Sequence, residues 1–272
     1  MQDLPSFDDD RQGPLDIREA GKHAHDGIVE RLFSYTSPYG QRRVAELIGP
    51  VGAGPHAAIL YVHWYEPESH DSNRTQFHEE ATDLAQRGAV SLLVGTMWSD
   101  RDWFLKRTQT DDYVNSVRQV VELRQAIDLL LAQPEVDSAR FAYVGHDFGA
   151  MYGVLTGQID PRPTCYALMA GTPRFSDWYL YYPRLEGAAR AAFVEAMGAI
   201  DPIAHVAALA PAPLLFQFGR ADPHVPIERA QAFFDAAAEP KQIRWYDAGH
   251  ALCAQATNER IGWLAAQLGL KG

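Results

Sequence analysis

Residues 141–149, Phe-Ala-Tyr-Val-Gly-His-Asp-Phe-Gly, constrain this chain more than any other stretch. An apolar, strand-like run ends in Gly145-His146-Asp147-Phe148-Gly149 and passes directly into a small-residue helical start at 150–155. A tight strand–turn–helix junction of this kind lifts the side chain at its apex clear of a sheet. Gly145 and Gly149 carry no Cβ, so the backbone can take a strained turn and the helix can lie close to the strand. The apex residue of this pattern is usually Ser or Cys. Here it is Asp147.

Taken in order, the chain alternates strand-like and helix-like stretches. Residues 28–35 and 42–48 alternate in part and flank Ser37-Pro38-Tyr39-Gly40, which reads as an antiparallel hairpin. Residues 57–63 (AAILYVH) and 89–94 are continuous apolar runs, the pattern of strands covered on both faces. Between them Phe77, Ala81, Leu84 and Ala85 fall at helical spacing before Gly88. A long amphipathic helix is expected over 112–133, stopped by Pro134. Beyond the junction, strands are expected at 165–170, 213–218 and 242–246, and helices at 226–238 and 255–268. The expectation is an α/β fold: a mostly parallel sheet of eight strands with helices on both faces. Residues 1–26 show little core-forming pattern and read as an N-terminal arm, leaving one domain over 27–272.

Residues 172–205 break the alternation. Phe175, Trp178, Tyr179, Tyr181 and Tyr182 crowd the first half, and an Ala-rich helix follows near 187–197. Ligands in parallel sheets bind at the carboxyl ends of the strands, so this segment reads as a short helical lid. An excursion that only packs is the alternative.

In this architecture the order of a triad along the chain is nucleophile, acid, histidine. Asp222 follows the seventh expected strand, in Gly219-Arg220-Ala221-Asp222-Pro223-His224. His250 follows the eighth, in Asp247-Ala248-Gly249-His250, and Asp177 after the sixth is a reserve acid. On these residues the chain resembles the α/β-hydrolases over roughly 27–268, and its spacing and lid size are most similar to the dienelactone hydrolase-like group. The aspartate at the apex is similar instead to haloalkane dehalogenases, fluoroacetate dehalogenases and epoxide hydrolases. Those families usually carry a His-Gly-x-Pro turn after the third strand and a larger cap. Here the turn reads His63-Trp64-Tyr65-Glu66-Pro67.

The resemblance implies a hydrolase, and the apex residue narrows the chemistry. A carboxylate of reference pKa about 3.9 is ionised at neutral pH and needs no base to attack. Attack on an ester would give an anhydride, whereas attack on a saturated carbon bearing a halide or an epoxide oxygen gives an ordinary alkyl ester. His250, oriented by Asp222, then activates water against that ester. The oxyanion donors are expected to be the backbone N–H groups of Phe148 and Trp64. Two alternatives stand beside this: Asp147 as a base in an ester or lactone reaction, and a non-catalytic relative that binds a small molecule. A leaving halide asks for N–H donors such as the indoles of Trp64, Trp98, Trp103 or Trp178. An epoxide oxygen asks for a phenol, and Tyr179, Tyr181 and Tyr182 are at hand. His63 and Tyr65 are counted on the substrate side, and Arg101 either presents a guanidinium at the mouth or is a solvated loop charge.

The formal charge of −11 leaves no basic footprint for nucleic acid. No run approaches 18 apolar residues, so no membrane span is expected. The acidic start (Asp8, Asp9, Asp10) is unlike a signal peptide, and Cys165 and Cys253 are too few for a disulfide scaffold. A cytoplasmic enzyme acting on a small molecule is the expectation, its oligomeric state open, a homodimer included. His23, His25, His56, His63, His70 and His78 recur in one region without a metal motif such as His-Glu-x-x-His. No metal is expected, and with no glycine-rich phosphate loop, no cofactor.

Overall fold

The two-residue turn Asp26-Gly27 starts the sheet. Both residues have positive φ, 47° and 79°, which suits the twist of a tight hairpin. It joins β1 (Arg18–His25) to β2 (Ile28–Thr36), with His25 paired to Ile28 across the turn. β3 (Arg42–Pro50) follows, again antiparallel. The structure, a computed structural model, describes residues 7, 13–69 and 72–271. The acidic stretch 8–10 and His70 lie outside the described residues.

After β3 the order is β4 (His56–Val62), α1 (Ser72–Gln86), β5 (Ala89–Val94), the short α2 (Trp103–Lys106) and the long α3 (Gln109–Leu131). Next come β6 (Val136–His146), α4 (Phe148–Ile159), β7 (Cys165–Met169), α5 (Ser176–Tyr179) and α6 (Gly187–Gly198). β8 (Leu214–Gly219), α7 (Ile227–Ala236), β9 (Lys241–Tyr246) and α8 (Ala254–Leu268) complete the described chain. The strands lie in the order β1-β2-β3-β5-β4-β6-β7-β8-β9, parallel from β5 onward. Alternate side chains of the apolar strands feed two separate cores. Ala58, Leu60 and Val62 of β4 meet α3 and α4 on one face, while Ile59 and Tyr61 meet α1 and α8 on the other. This two-sided burial is why these strands read as unbroken apolar runs.

One expectation needs correcting. The sheet has nine strands among the described residues, because 18–25 lie within it as β1 and not in a free arm. β1 is an edge strand exposed on both faces, so Arg18–His25 carries no apolar alternation to read. Phe7 is buried as well, and its carbonyl accepts a hydrogen bond from Arg124 at 3.1 Å.

Between β7 and β8 the chain departs from the sheet through α5, α6 and 3₁₀ turns at Pro202–Ala204 and Val206–Leu209. Gly187–Leu209 is apolar enough to match a membrane span, with a mean hydropathy of 1.4. Its α-helix nevertheless stops at Gly198 after 12 residues. That length covers about 18 Å, well short of a hydrocarbon core of about 30 Å. Phe193 and Met197 are buried against the domain instead. Asp201 anchors the segment by accepting the N–H of Phe175 at 2.8 Å. Arg107 anchors it again, pairing with Asp112 and donating to the carbonyls of Tyr179 and Tyr182.

Candidate active site

Asp147 sits at the junction of β6 and α4 with φ 56° and ψ −116°, a conformation that L-residues hold only when their surroundings impose it. The neighbours do so by close packing. A Cβ on Gly149 would lie 2.0 Å from the carbonyl oxygen of Val62, and one on Gly145 would lie 2.4 Å from the backbone of Gly149. Only glycine fits either place.

The two oxygens of the Asp147 carboxylate have different surroundings. Oδ2 accepts the backbone N–H of Tyr65 at 3.4 Å, and the N–H of Phe148 is a second donor to the group. Oδ1 is buried without a hydrogen-bond partner. Burial raises the carboxyl to about 7, with His250 and the two N–H groups pulling the other way. Near neutral pH this group is therefore divided between its acid and its carboxylate.

His250 lies in the loop after β9 and Asp222 in the loop after β8. His250 Nδ1 donates to Asp222 Oδ2 at 2.8 Å, which leaves Nε2 as the basic nitrogen. Asp222 Oδ1 accepts the N–H groups of His224 at 2.8 Å and Val225 at 3.1 Å, fixing the carboxylate in turn. Burial disfavours the imidazolium, but the Asp222 hydrogen bond and the charge of Asp147 outweigh it and raise His250 above its ordinary value. Burial also works against the Asp222 charge, yet His250 and the two backbone donors hold it below the usual carboxylate range.

A chain of hydrogen bonds links the turn after β4 to this histidine. Trp64 N–H donates to Gln76 Oε1 at 3.0 Å, Gln76 Nε2 donates to His146 Nδ1, and His146 Nε2 donates to the carbonyl of His250 at 2.9 Å. His146 is buried, which holds it neutral and suits it to both roles. Trp64 stacks on His250 at 5.8 Å and 10°, while Trp178 and His224 meet the imidazole edge-on at 5.6 Å and 5.2 Å. The cavity in front of His250 and Asp147 measures about 470 Å³. Its walls include Tyr65, Phe104, Trp178 and Tyr181, so it is chiefly aromatic.

No protein-family model matches this chain, and no curated protein sequence does. Solved structures do match. The chain is similar to an acetyl xylan esterase from Paenibacillus sp. R4 at a TM-score of 0.75 and 15% identity, over 94% of this chain and 90% of that one. Acetyl xylan esterase 1 from Thermoanaerobacterium sp. JW/SL YS485 gives 0.73 and 14%, over 96% and 90%. An S-formylglutathione hydrolase from Agrobacterium tumefaciens gives 0.69 and 17%, over 93% and 100%. The chain has the α/β-hydrolase fold.

Within this α/β-hydrolase frame, Asp147, Asp222 and His250 lie at the strand ends where the sequence put them. Several neighbours do not. Trp64 was expected as an oxyanion donor, but its N–H is taken by Gln76, and Tyr65 N–H faces Asp147 instead. His63 is buried: Nδ1 donates to the carbonyl of Trp64 at 2.6 Å, and Nε2 accepts from Ser99 and Thr96. Burial lowers it to about 4, and it serves the turn, not a substrate. Trp98 spends its indole N–H on the carbonyl of His63 at 3.0 Å, so it has no donor for a halide.

The lid aromatics divide in the same way. Tyr179 is buried with its hydroxyl 2.6 Å from that of Tyr152, away from the cavity. Tyr182 is exposed and is not among the cavity walls, which Tyr181 and Trp178 join. Arg101 is exposed and also absent from the walls, but its carbonyl accepts the phenol of Tyr65 at 2.7 Å. Asp177 pairs with Arg229 at 3.5 Å and is not the partner of His250. Gln76, His146, Phe104 and His224 were not singled out by the sequence. Only His146 carried a local signal, its place beside the apex.

Proposed function

We propose that this chain is a hydrolase in which Asp147 attacks a saturated carbon that bears a leaving group. The observation that carries this reading is the split carboxylate: Oδ2 accepts the Tyr65 N–H, with the Phe148 N–H a second donor to the group, while Oδ1 is buried without a hydrogen-bond partner. Oδ1 forms the new C–O bond as the C–X bond breaks, X departing with its electron pair. The product of that step is an alkyl ester of Asp147. His250 then takes a proton from water, and the hydroxide adds to Cγ of Asp147. The developing oxyanion is Oδ2, which already accepts the Tyr65 N–H, with the Phe148 N–H at hand as a second donor to the group. Collapse breaks the Cγ–O bond to the alcohol, which takes the proton back from His250.

The neighbours in fold carry esterase names, and an ester substrate is the natural comparison. An ester carbonyl would need the Tyr65 and Phe148 N–H groups for itself, yet here the carboxylate of Asp147 occupies them. A halide is favoured as leaving group because Trp178 Nε1, beside the cavity, is buried without a hydrogen-bond partner. A second reading, Asp147 as a general base toward an ester or lactone, is favoured by its carboxyl at about 7, a value suited to proton transfer.

One experiment separates the two. In His250→Gln, a nucleophilic Asp147 still takes the first step and stalls at the second. After incubation with a panel of haloalkanes, haloacids and epoxides, intact-mass spectrometry should show the alkyl group added, on the peptide that holds Asp147. An active wild-type enzyme whose His250→Gln variant never accumulates an adduct would overturn the nucleophile reading in favour of the base.

A further inference from the structure

At the antiparallel end of the sheet, away from the elbow, side chains from four elements converge. Glu30 of β2, Glu46 of β3 and His78 of α1 each place a ligand atom within 4.8 Å of the other two. His78 Nε2 is 3.2 Å from Glu30 Oε1, and His25 Nε2 at the end of β1 is 3.2 Å from that same oxygen. Glu30 and Glu46 are only 14% and 10% exposed, so two carboxylates are held close together with little water. Behind the cluster, His25 Nδ1 faces Asp26 Oδ2 at 3.4 Å.

We propose that Glu30, Glu46, His78 and His25 bind a divalent transition metal ion, with zinc as the best match. The donor types agree, since imidazole nitrogen and carboxylate oxygen are ordinary zinc ligands. The spacing agrees too. A tetrahedral ion about 2.1 Å from each donor sets neighbouring donors about 3.4 Å apart. Two imidazole nitrogens already stand 3.2 Å from one carboxylate oxygen, the Glu46 ligand atom lies within 4.8 Å of those of Glu30 and His78, and modest side-chain turns would bring the four donors to that spacing. The carboxylate of Asp26 against the far nitrogen of His25 is the arrangement that fixes a ligating imidazole and raises its basicity. Arg74, 3.9 Å from Glu46, contributes one positive charge nearby.

The consequence is mechanical. β1 is exposed along its length and, among the described residues, pairs only with β2, so this strand has little burial of its own to hold it. A metal shared by β1, β2, β3 and α1 ties that edge to the helix carrying Gln76, which reaches the elbow through His146. No local sequence motif announces such a site, because its ligands come from four separate elements.

The test uses untagged full-length protein stripped with a chelator, then titrated with Zn²⁺ alone against a chromophoric competitor at pH 7.5. One equivalent should bind with micromolar or tighter affinity, and hydrogen exchange of the β1 amides should slow on binding. Glu30→Gln and His78→Ala should each weaken binding at least about 100-fold, and His25→Ala at least about tenfold. Cys253→Ser should bind as the parent does. His25 and His78 are 46% and 38% exposed and neither belongs to the apolar core, so their variants should keep the parent's circular dichroism. Absorption spectroscopy at the zinc edge should report only nitrogen and oxygen ligands, two of them imidazole. Wild-type affinity weaker than millimolar, or full affinity retained in His78→Ala, would overturn the proposal. No substrate enters the assay, so its outcome is independent of the proposed hydrolysis.

Discussion

The backbone N–H of Trp64 donates to Gln76 Oε1, and the next N–H along, that of Tyr65, faces the carboxylate of Asp147. Gln76 is on α1, the helix that follows the turn, and its other end meets His146 in the elbow. One side chain therefore sets which donor of the turn is available and also steadies the carbonyl of His250 through His146.

In the proposed mechanism this makes Gln76 a positioning residue for the second chemical step. In Gln76→Ala the Trp64 N–H is released and the turn can rotate away from Asp147. Removing an oxyanion donor outright costs about 10²–10³ in rate, so a displaced one should cost about 10- to 100-fold. Rapid-quench measurements should find the loss in hydrolysis of the Asp147 ester, with ester formation much less affected. An equal loss in both steps would mean that Gln76 merely supports the fold.

The elevated carboxyl of Asp147 has a stability consequence of definite sign. Its folded value of about 7 lies above the ordinary aspartate value of 3.8, so between those pH values the folded state holds a proton that the unfolded state has released. Its stabilising contribution is complete below about pH 4 and is lost as pH rises through 7. A shift of about three units amounts to roughly 4 kcal/mol at most. Asp147→Asn, which cannot ionise, should therefore unfold at higher denaturant than the parent at pH 8, with the two curves converging near pH 4. A variant that is no more stable at pH 8 than at pH 4, relative to the parent, would show that Asp147 pays no burial cost.

What the sequence disclosed depends on how local each cause is. The elbow was legible because two glycines and an apolar run sit within nine residues. The positions of Asp222 and His250 followed from counting strands, since each strand end in a parallel sheet opens on the same edge. The oxyanion turn was not legible, because the choice between Trp64 and Tyr65 is made by Gln76 on another element. Tyr179 looked like a cavity phenol until Tyr152 and Ser116 claimed its hydroxyl inside the core. β1 escaped notice for the opposite reason: an exposed edge strand buries nothing and so leaves no apolar signature. Its turn, Asp26-Gly27, was the better clue.

The leaving group can be assigned by two single substitutions on the lid. Trp178 and Tyr181 both line the cavity, with their rings 5.5 Å apart and both beside His224. They offer different chemistry: an indole N–H can stabilise a departing halide but cannot give up its proton, whereas a phenol can protonate an epoxide oxygen. Trp178→Phe keeps an aromatic wall and removes the N–H, and Tyr181→Phe removes only the hydroxyl. If a halide leaves, Trp178→Phe should slow formation of the Asp147 ester by about 10- to 100-fold, the usual size for one hydrogen bond to a charged group, and Tyr181→Phe should leave it nearly unchanged. If an epoxide opens, the order reverses. Single-turnover rates of ester formation, measured in the His250→Gln background, isolate this step from hydrolysis. Equal rates in both variants and the parent would mean that neither side chain touches the leaving group, and that Trp178 keeps its buried N–H for packing alone.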